Sequence, residues 1–85
     1  SKTLLSSVMK LIREEGYELG NVDSTICLQT PKIGAYIPEM QKVLAYCMGV
    51  DQDLVSIKAT TTEKLSFVGR EEGVSAYATV LIIKA

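Results

Sequence analysis

The order of periodicities along this chain predicts an α+β fold, a mixed β-sheet with helices packed on one face, in the order α-β-α-β-β. Two stretches repeat apolar residues every three to four positions and end at a glycine, and three shorter stretches alternate or are rich in β-branched residues. No internal repeat, low-complexity segment or linker interrupts them, so residues 1–85 read as a single domain. A chain this short buries only roughly 60 to 65% of its unfolded surface, which predicts that association with other subunits adds to its stability.

The first helix is expected over Thr3 to Glu15, with Leu4, Leu5, Val8, Met9, Leu11 and Ile12 on one face. Ser1 or Thr3 is placed to cap its start, and Gly16 to take the left-handed conformation that stops it. A helix that begins almost at residue 1, with no lead-in, predicts a chain cut from a longer one. Tyr17 to Gly20 reads as a connector. Asn21 to Gln29 then alternates as a strand, with Val22, Ser24, Ile26 and Leu28 on one face and Asp23, Thr25, Cys27 and Gln29 on the other. Thr30-Pro31-Lys32-Ile33-Gly34 ends it, since Pro31 has no amide to give a ladder and Gly34 permits a turn. Such a loop lets backbone approach a ligand, or is simply a turn.

Ala35 to Met48 is the second helix, with Ile37, Met40, Val43, Leu44 and Cys47 at helical spacing, Pro38 in the first turn and Gly49 as its stop. Met40 and Met48 read as core filler. After the polar connection Val50 to Asp53, Leu54 to Thr60 is a strand that runs into a threonine-rich loop. Within that loop Leu65 and Phe67 either anchor it or wall a pocket. Gly69 to Gly73 is a charged turn. Val74 to Ile83 is the last strand, and its face Val74, Ala76, Ala78, Val80 and Ile82 is small enough to pack closely against a helix or another subunit.

Charge and composition remove several function classes. The formal net charge is −1 with the signs interspersed, so neither nucleic acid nor an anionic membrane is an expected partner. Cys27 and Cys47 sit in apolar segments and read as reduced, buried thiols, which suits a bacterial cytoplasm or an organelle stroma such as a plastid's. The absence of histidine removes the commonest zinc ligand and general base.

Chemistry is expected at the end of the Leu54 to Thr60 strand. There Thr60, Thr61 and Thr62 offer hydroxyls and turn amides, and Glu63 a carboxylate, groups that together can hold a phosphate and its divalent cation. The same Thr60 and Glu63 also have capping-box spacing, in which each side chain satisfies an orphan backbone donor.

Four segments, Gly20-Asn-Val-Asp-Ser-Thr-Ile26, Gln29-Thr-Pro-Lys32, Tyr36-Ile-Pro-Glu-Met40 and Lys58-Ala-Thr-Thr-Thr-Glu-Lys-Leu-Ser-Phe-Val-Gly-Arg70, resemble in order those of the 2-C-methyl-D-erythritol 2,4-cyclodiphosphate synthase family. The resemblance implies a homotrimeric phosphorus-oxygen lyase of non-mevalonate isoprenoid biosynthesis. Its substrate is 4-diphosphocytidyl-2-C-methyl-D-erythritol 2-phosphate, whose own 2-phosphate attacks the β-phosphate and releases CMP. Residue by residue, it makes Leu28, Thr30, Pro31, Lys32, Ile33 and Gly34 a cytosine pocket read largely through backbone, with Lys32 approaching the nucleotide. Ala59, Thr60 and Thr61 line cytidine and diphosphate, Thr61 and Glu63 are catalytic, and Glu63 binds magnesium or manganese. Phe67 and Arg70 are likewise substrate-binding, and with Glu72 they face the trimer axis as an anion site.

The resemblance also implies zinc, held in the family by an earlier segment with an Asp-x-His motif and a further histidine, none of which is present here. That predicts the nucleotide half of the synthase site, inactive alone, with an N-terminal half as its missing partner. Ser66 stands where the family usually has glycine, and Val68 where threonine is common. The alternatives are a non-catalytic cytidine-nucleotide-binding module and a purely structural trimerisation domain.

Overall fold

A computed structural model describes residues 1–61 and 65–85. Among them lie α1 (Lys2–Glu14), β1 (Tyr17–Cys27), a 3₁₀ turn (Gly34–Tyr36) that runs into α2 (Ile37–Met48), β2 (Val55–Thr60), the one-turn α3 (Ser66–Gly69) and β3 (Ser75–Lys84). The sheet order is β2-β1-β3, with β1 parallel to β2 and antiparallel to β3. Both long helices lie on one face, as expected, and share with β1 and β2 a core of Met9, Leu19, Ala45, Met48, Val55 and Ile57. At about 25 cal/mol per Å² of apolar surface removed from water, this shared burial is what couples the helices to the sheet.

The helix stops follow the glycines. Gly16 has φ +87° after α1 and Gly49 has φ +65° after α2, a region where a side chain is costly. Ser1 occupies the cap position of α1, although its hydroxyl makes no capping bond. Ser7 Oγ instead donates back to Thr3 O within the helix (3.0 Å).

Several expectations are corrected. Tyr17 to Gly20 is strand rather than connector, because antiparallel pairing with β3 reaches Tyr17 opposite Lys84. A register shift at Gly20 then puts Leu19 and Val22, three residues apart, on the same core-facing side, which strict alternation forbids. A Cβ at Gly20 would lie 3.0 Å from Ile83 Cδ1 and 3.1 Å from Leu81 O, so the strands meet closely at this bulge.

The apolar stripe of α1 divides. Leu5, Met9 and Ile12 join the core, whereas Leu4, Val8 and Leu11 are exposed. On α2 the buried residues are Ala45 and Met48, and Ile37, Met40 and Leu44 pack beside them, while Val43 and Cys47 are only half-buried. Cys27 and Cys47 are free but half-buried, not buried. The small face of β3 is bare of any helix among the described residues. Val80 is 52% and Ile82 43% exposed, because α1 and α2 lie over β1 and β2.

Candidate functional site

Parallel pairing of β1 and β2 brings their carboxyl ends side by side, from Val22 opposite Val55 to Cys27 opposite Thr60. One further bond, Leu28 N–H to Thr60 O at 3.0 Å, carries the ladder past the end of β1. Beyond it the two chains diverge, β1 into the Pro31 loop and β2 into the threonines, and the space between them is a cleft. Ligands characteristically bind at such strand ends, where backbone groups leave the ladder unpaired by another strand.

The cleft encloses about 200 Å³ and is lined by Leu28, Gln29, Pro31, Lys32, Ile33, Gly34, Ala59, Thr60 and Thr61. Two segments some thirty residues apart in sequence, each singled out in the chain, thus form its opposite walls. Thr30 is exposed and is not part of the lining. Gln29 is part of it too, within the Leu28 to Gly34 loop expected to form the cytosine pocket. A Cβ at Gly34 would meet no atom within 4 Å, so the backbone there stands open to a ligand.

Lys32 is the one charged residue among these nine. Lys58, the nearest cation in sequence on the β2 side, is held away by an ion pair with Asp23 Oδ2 at 3.1 Å across β1 and β2. Thr60 Oγ1 donates to Thr61 O at 3.3 Å. The capping contact expected between Thr60 and Glu63, and the catalytic and cation-binding roles of Glu63, fall outside the described residues. The lining therefore offers hydroxyls, an amide, an ammonium and apolar walls, a set suited to a heterocyclic base and a phosphate.

That set does not suit zinc. The chain has no histidine, and no three histidine, cysteine, aspartate or glutamate residues gather among the described residues.

Phe67, Arg70 and Glu72, expected together as an anion site, share the turn that follows the cleft, but none of them lines it. The turn is held by Gly69 N–H to Leu65 O (2.9 Å), Arg70 N–H to Ser66 O (3.1 Å) and Glu72 N–H to Phe67 O (2.8 Å). Its anchor is neither Leu65 nor Phe67, which are 69% and 49% exposed, but Val68 at 2%. No periodicity marked Val68, because a single helical turn has none to show. Arg70 Nε is paired with Glu72 Oε1, both exposed, so Arg70 carries its own neutralising carboxylate. Ser66 opens the turn at φ +59°, a conformation that suits glycine, the residue usual at this place in the resembled family.

The fold and the cleft define a small α+β domain with a ligand-sized site at the ends of two parallel strands. The chain belongs to the YgbB family, whose model matches residues 1–83. It is 65% identical over 85 residues to the 2-C-methyl-D-erythritol 2,4-cyclodiphosphate synthase of Phocaeicola vulgatus, covering 100% of this chain and 53% of that protein. To the Bacteroides fragilis synthase it is 63% identical over 82 residues, with 96% and 52% covered. Among solved structures it superposes on Plasmodium falciparum IspF, described as a CDP complex, with a TM-score of 0.94, 29% identity and 98% and 53% coverage. On the bifunctional IspDF of Campylobacter jejuni the TM-score is 0.97, with 36% identity and 99% and 23% coverage. The chain spans about half the length of the curated relatives it matches.

No helix among the described residues is long and apolar enough to cross a membrane.

Proposed function

We propose that these residues are the nucleotide half of a 2-C-methyl-D-erythritol 2,4-cyclodiphosphate synthase site, working in a bacterial cytoplasm or a plastid stroma. The observation that carries this reading is the convergence of Leu28–Gly34 and Ala59–Thr61 on one cleft. In it the cytosine base lies against the backbone of the Leu28 to Gly34 loop. Lys32 draws the phosphates toward that wall, and Thr60 and Thr61 hold the diphosphate from the other with hydroxyls and backbone amides. Magnesium or manganese bound at Glu63 would neutralise charge on the diphosphate.

These contacts fix the β-phosphorus for in-line attack by an oxygen of the substrate's 2-phosphate. The bond from the β-phosphorus to the oxygen it shares with the α-phosphate breaks, and that oxygen leaves with CMP. The chain's share is positioning and electrostatic stabilisation, not proton transfer. Holding the attacking 2-phosphate, the task of zinc in the resembled family, falls to residues other than these 85.

The same reading makes the assembly a homotrimer, with Phe67, Arg70 and Glu72 near its axis around an anion. The exposure of Tyr77 (66%) and Leu81 (54%), on the sheet face opposite the helices, supports association there. Calorimetric titration of the purified chain with CDP in magnesium tests the reading. Saturable binding without CMP release from the substrate, in zinc and magnesium, is the expected result. A folded chain that binds no CDP overturns the nucleotide site, and CMP release overturns the division of the site into halves.

A further inference from the structure

Positive charge is divided unevenly between the two walls of the cleft. Lys32 stands on the loop that follows β1, whereas Lys58 of β2 does not reach the lining. On the sheet face away from the helices, cross-strand neighbours form three rows. Ser56, Asp23 and Thr79 make the first, Lys58, Thr25 and Tyr77 the second, and Thr60, Cys27 and Ser75 the third, which borders the cleft. Of these nine residues only Asp23 and Lys58 are charged. Lys58 Nζ lies 3.1 Å from Asp23 Oδ2, so its side chain crosses to β1 and back toward the first row, away from Thr60. Thr60 is two residues ahead of Lys58 on the same face, roughly 6.6 Å along the strand. A flexible four-carbon stem can cover that distance once it is released.

We propose that Asp23 is a positioning residue that determines specificity: it parks Lys58, so that the cleft meets a phosphorylated nucleotide with one ammonium instead of two. This rests on the nucleotide reading above. Neither stability nor register accounts for the pair. Its side chains are 61% and 51% exposed, and an ion pair so open to water adds little to the fold. The register of β1 with β2 is already fixed on the other face, where Val22, Ile26, Val55 and Ile57 join the core. A second ammonium beside Thr60 would instead strengthen the hold on each phosphate, most of all on a diphosphate, without touching the base. The pair thus sets how much the charge of the ligand counts against its base, and keeps CMP, the departing product, from being held too tightly.

The test is calorimetric titration of wild type, Asp23→Asn, Lys58→Gln and the double variant with cytidine and with CDP, in magnesium at about 0.1 M and about 1 M salt. Asp23→Asn should bind CDP roughly three- to tenfold more tightly than wild type at the lower salt. Most of that gain should vanish at the higher salt, and cytidine binding should not change. In the Lys58→Gln background the same substitution should have little effect. Asp23 lies four residues before the end of β1, roughly 13 Å along the strand, so its own charge is largely screened there. Asp23→Glu should restore wild-type affinity by re-forming the pair. Both side chains are exposed, so the variants keep the fold and assembly, checked by circular dichroism and native mass. An equal gain in both backgrounds overturns the proposal, as does no gain or one shared by cytidine. If wild type binds CDP and the variants match it, the parking fails and the nucleotide site stands. If no form binds CDP, the nucleotide site fails and the proposal with it.

Discussion

Arg13, in the last turn of α1, places its Nη2 2.7 Å from the carbonyl oxygen of Met48, the last residue of α2. Its Nε donates to Glu18 Oε1 at 2.9 Å, so one guanidinium joins the end of α1, the end of α2 and the start of β1. A cation at a helix carboxyl end also meets the negative end of the helix dipole.

Replacing Arg13 by alanine should cost about 1 to 2 kcal/mol, the size of a partly exposed hydrogen bond from a charged donor. In a domain this small that lowers the melting temperature by roughly 4 to 8 °C per kcal/mol. Arg13→Lys should recover only part, since an ammonium on a flexible stem lacks the planar fork that meets Met48 O and Glu18 together. Thermal melts of the two variants check this, and equal melts for wild type and alanine would refute it.

Acid should release the Glu18 contact. The hydrogen bond from Arg13, followed by that from the Leu19 amide, holds the Glu18 carboxyl below its usual value of 4.5. The folded form thus binds its proton more weakly than the unfolded chain, and the stability this contributes is present above pH 4.5 and lost as pH falls through the lowered value. Wild type should therefore exceed Glu18→Gln in melting temperature at neutral pH, and the difference should shrink on acidification below pH 4.5. A difference independent of pH would count against the contact.

At Ser66 the expected order of substitutions is reversed from that of an ordinary helix. With φ at +59°, Ser66→Gly should be more stable than Ser66→Ala by about 1 kcal/mol, because only glycine escapes the Cβ clash of the left-handed region. In a right-handed helical turn alanine wins by about the same amount. Chemical denaturation of the pair gives the sign directly.

Lys32 should act through charge. Lys32→Ala is expected to weaken CDP binding by roughly five- to tenfold in dilute buffer, with less difference in 0.5 M salt, since an exposed cation is screened over a few ångströms there. Lys32→Arg should retain most of the affinity. Calorimetry at two salt concentrations distinguishes this from a packing effect, which salt would not remove.

Local signals carried far in this chain. The helical spacing of α1 and α2 and the glycines at 16 and 49 fixed where the helices run and stop, because period and backbone freedom are properties of neighbouring residues. The Lys58 to Arg70 segment and the Pro31 loop carry the family's pattern and nearly all of the cleft lining. Tertiary structure decided what depends on distant partners. Pairing with β3 made Tyr17 to Gly20 a strand and placed the bulge that turns both Leu19 and Val22 inward. The seating of α1 on β1 and beside α2 chose Leu5, Met9 and Ile12 for burial and left Leu4, Val8 and Leu11 in water, although all six belong to one apolar pattern. Val68 became an anchor only because the turn is pressed against the domain. Parallel alignment of β1 with β2 set Leu28 beside Thr60, and with that register two loops far apart in sequence became the walls of one site. A hydrophobic pattern states which residues seek cover. Which of them find it is settled by the hydrogen-bond register of strands that meet from opposite ends of the chain.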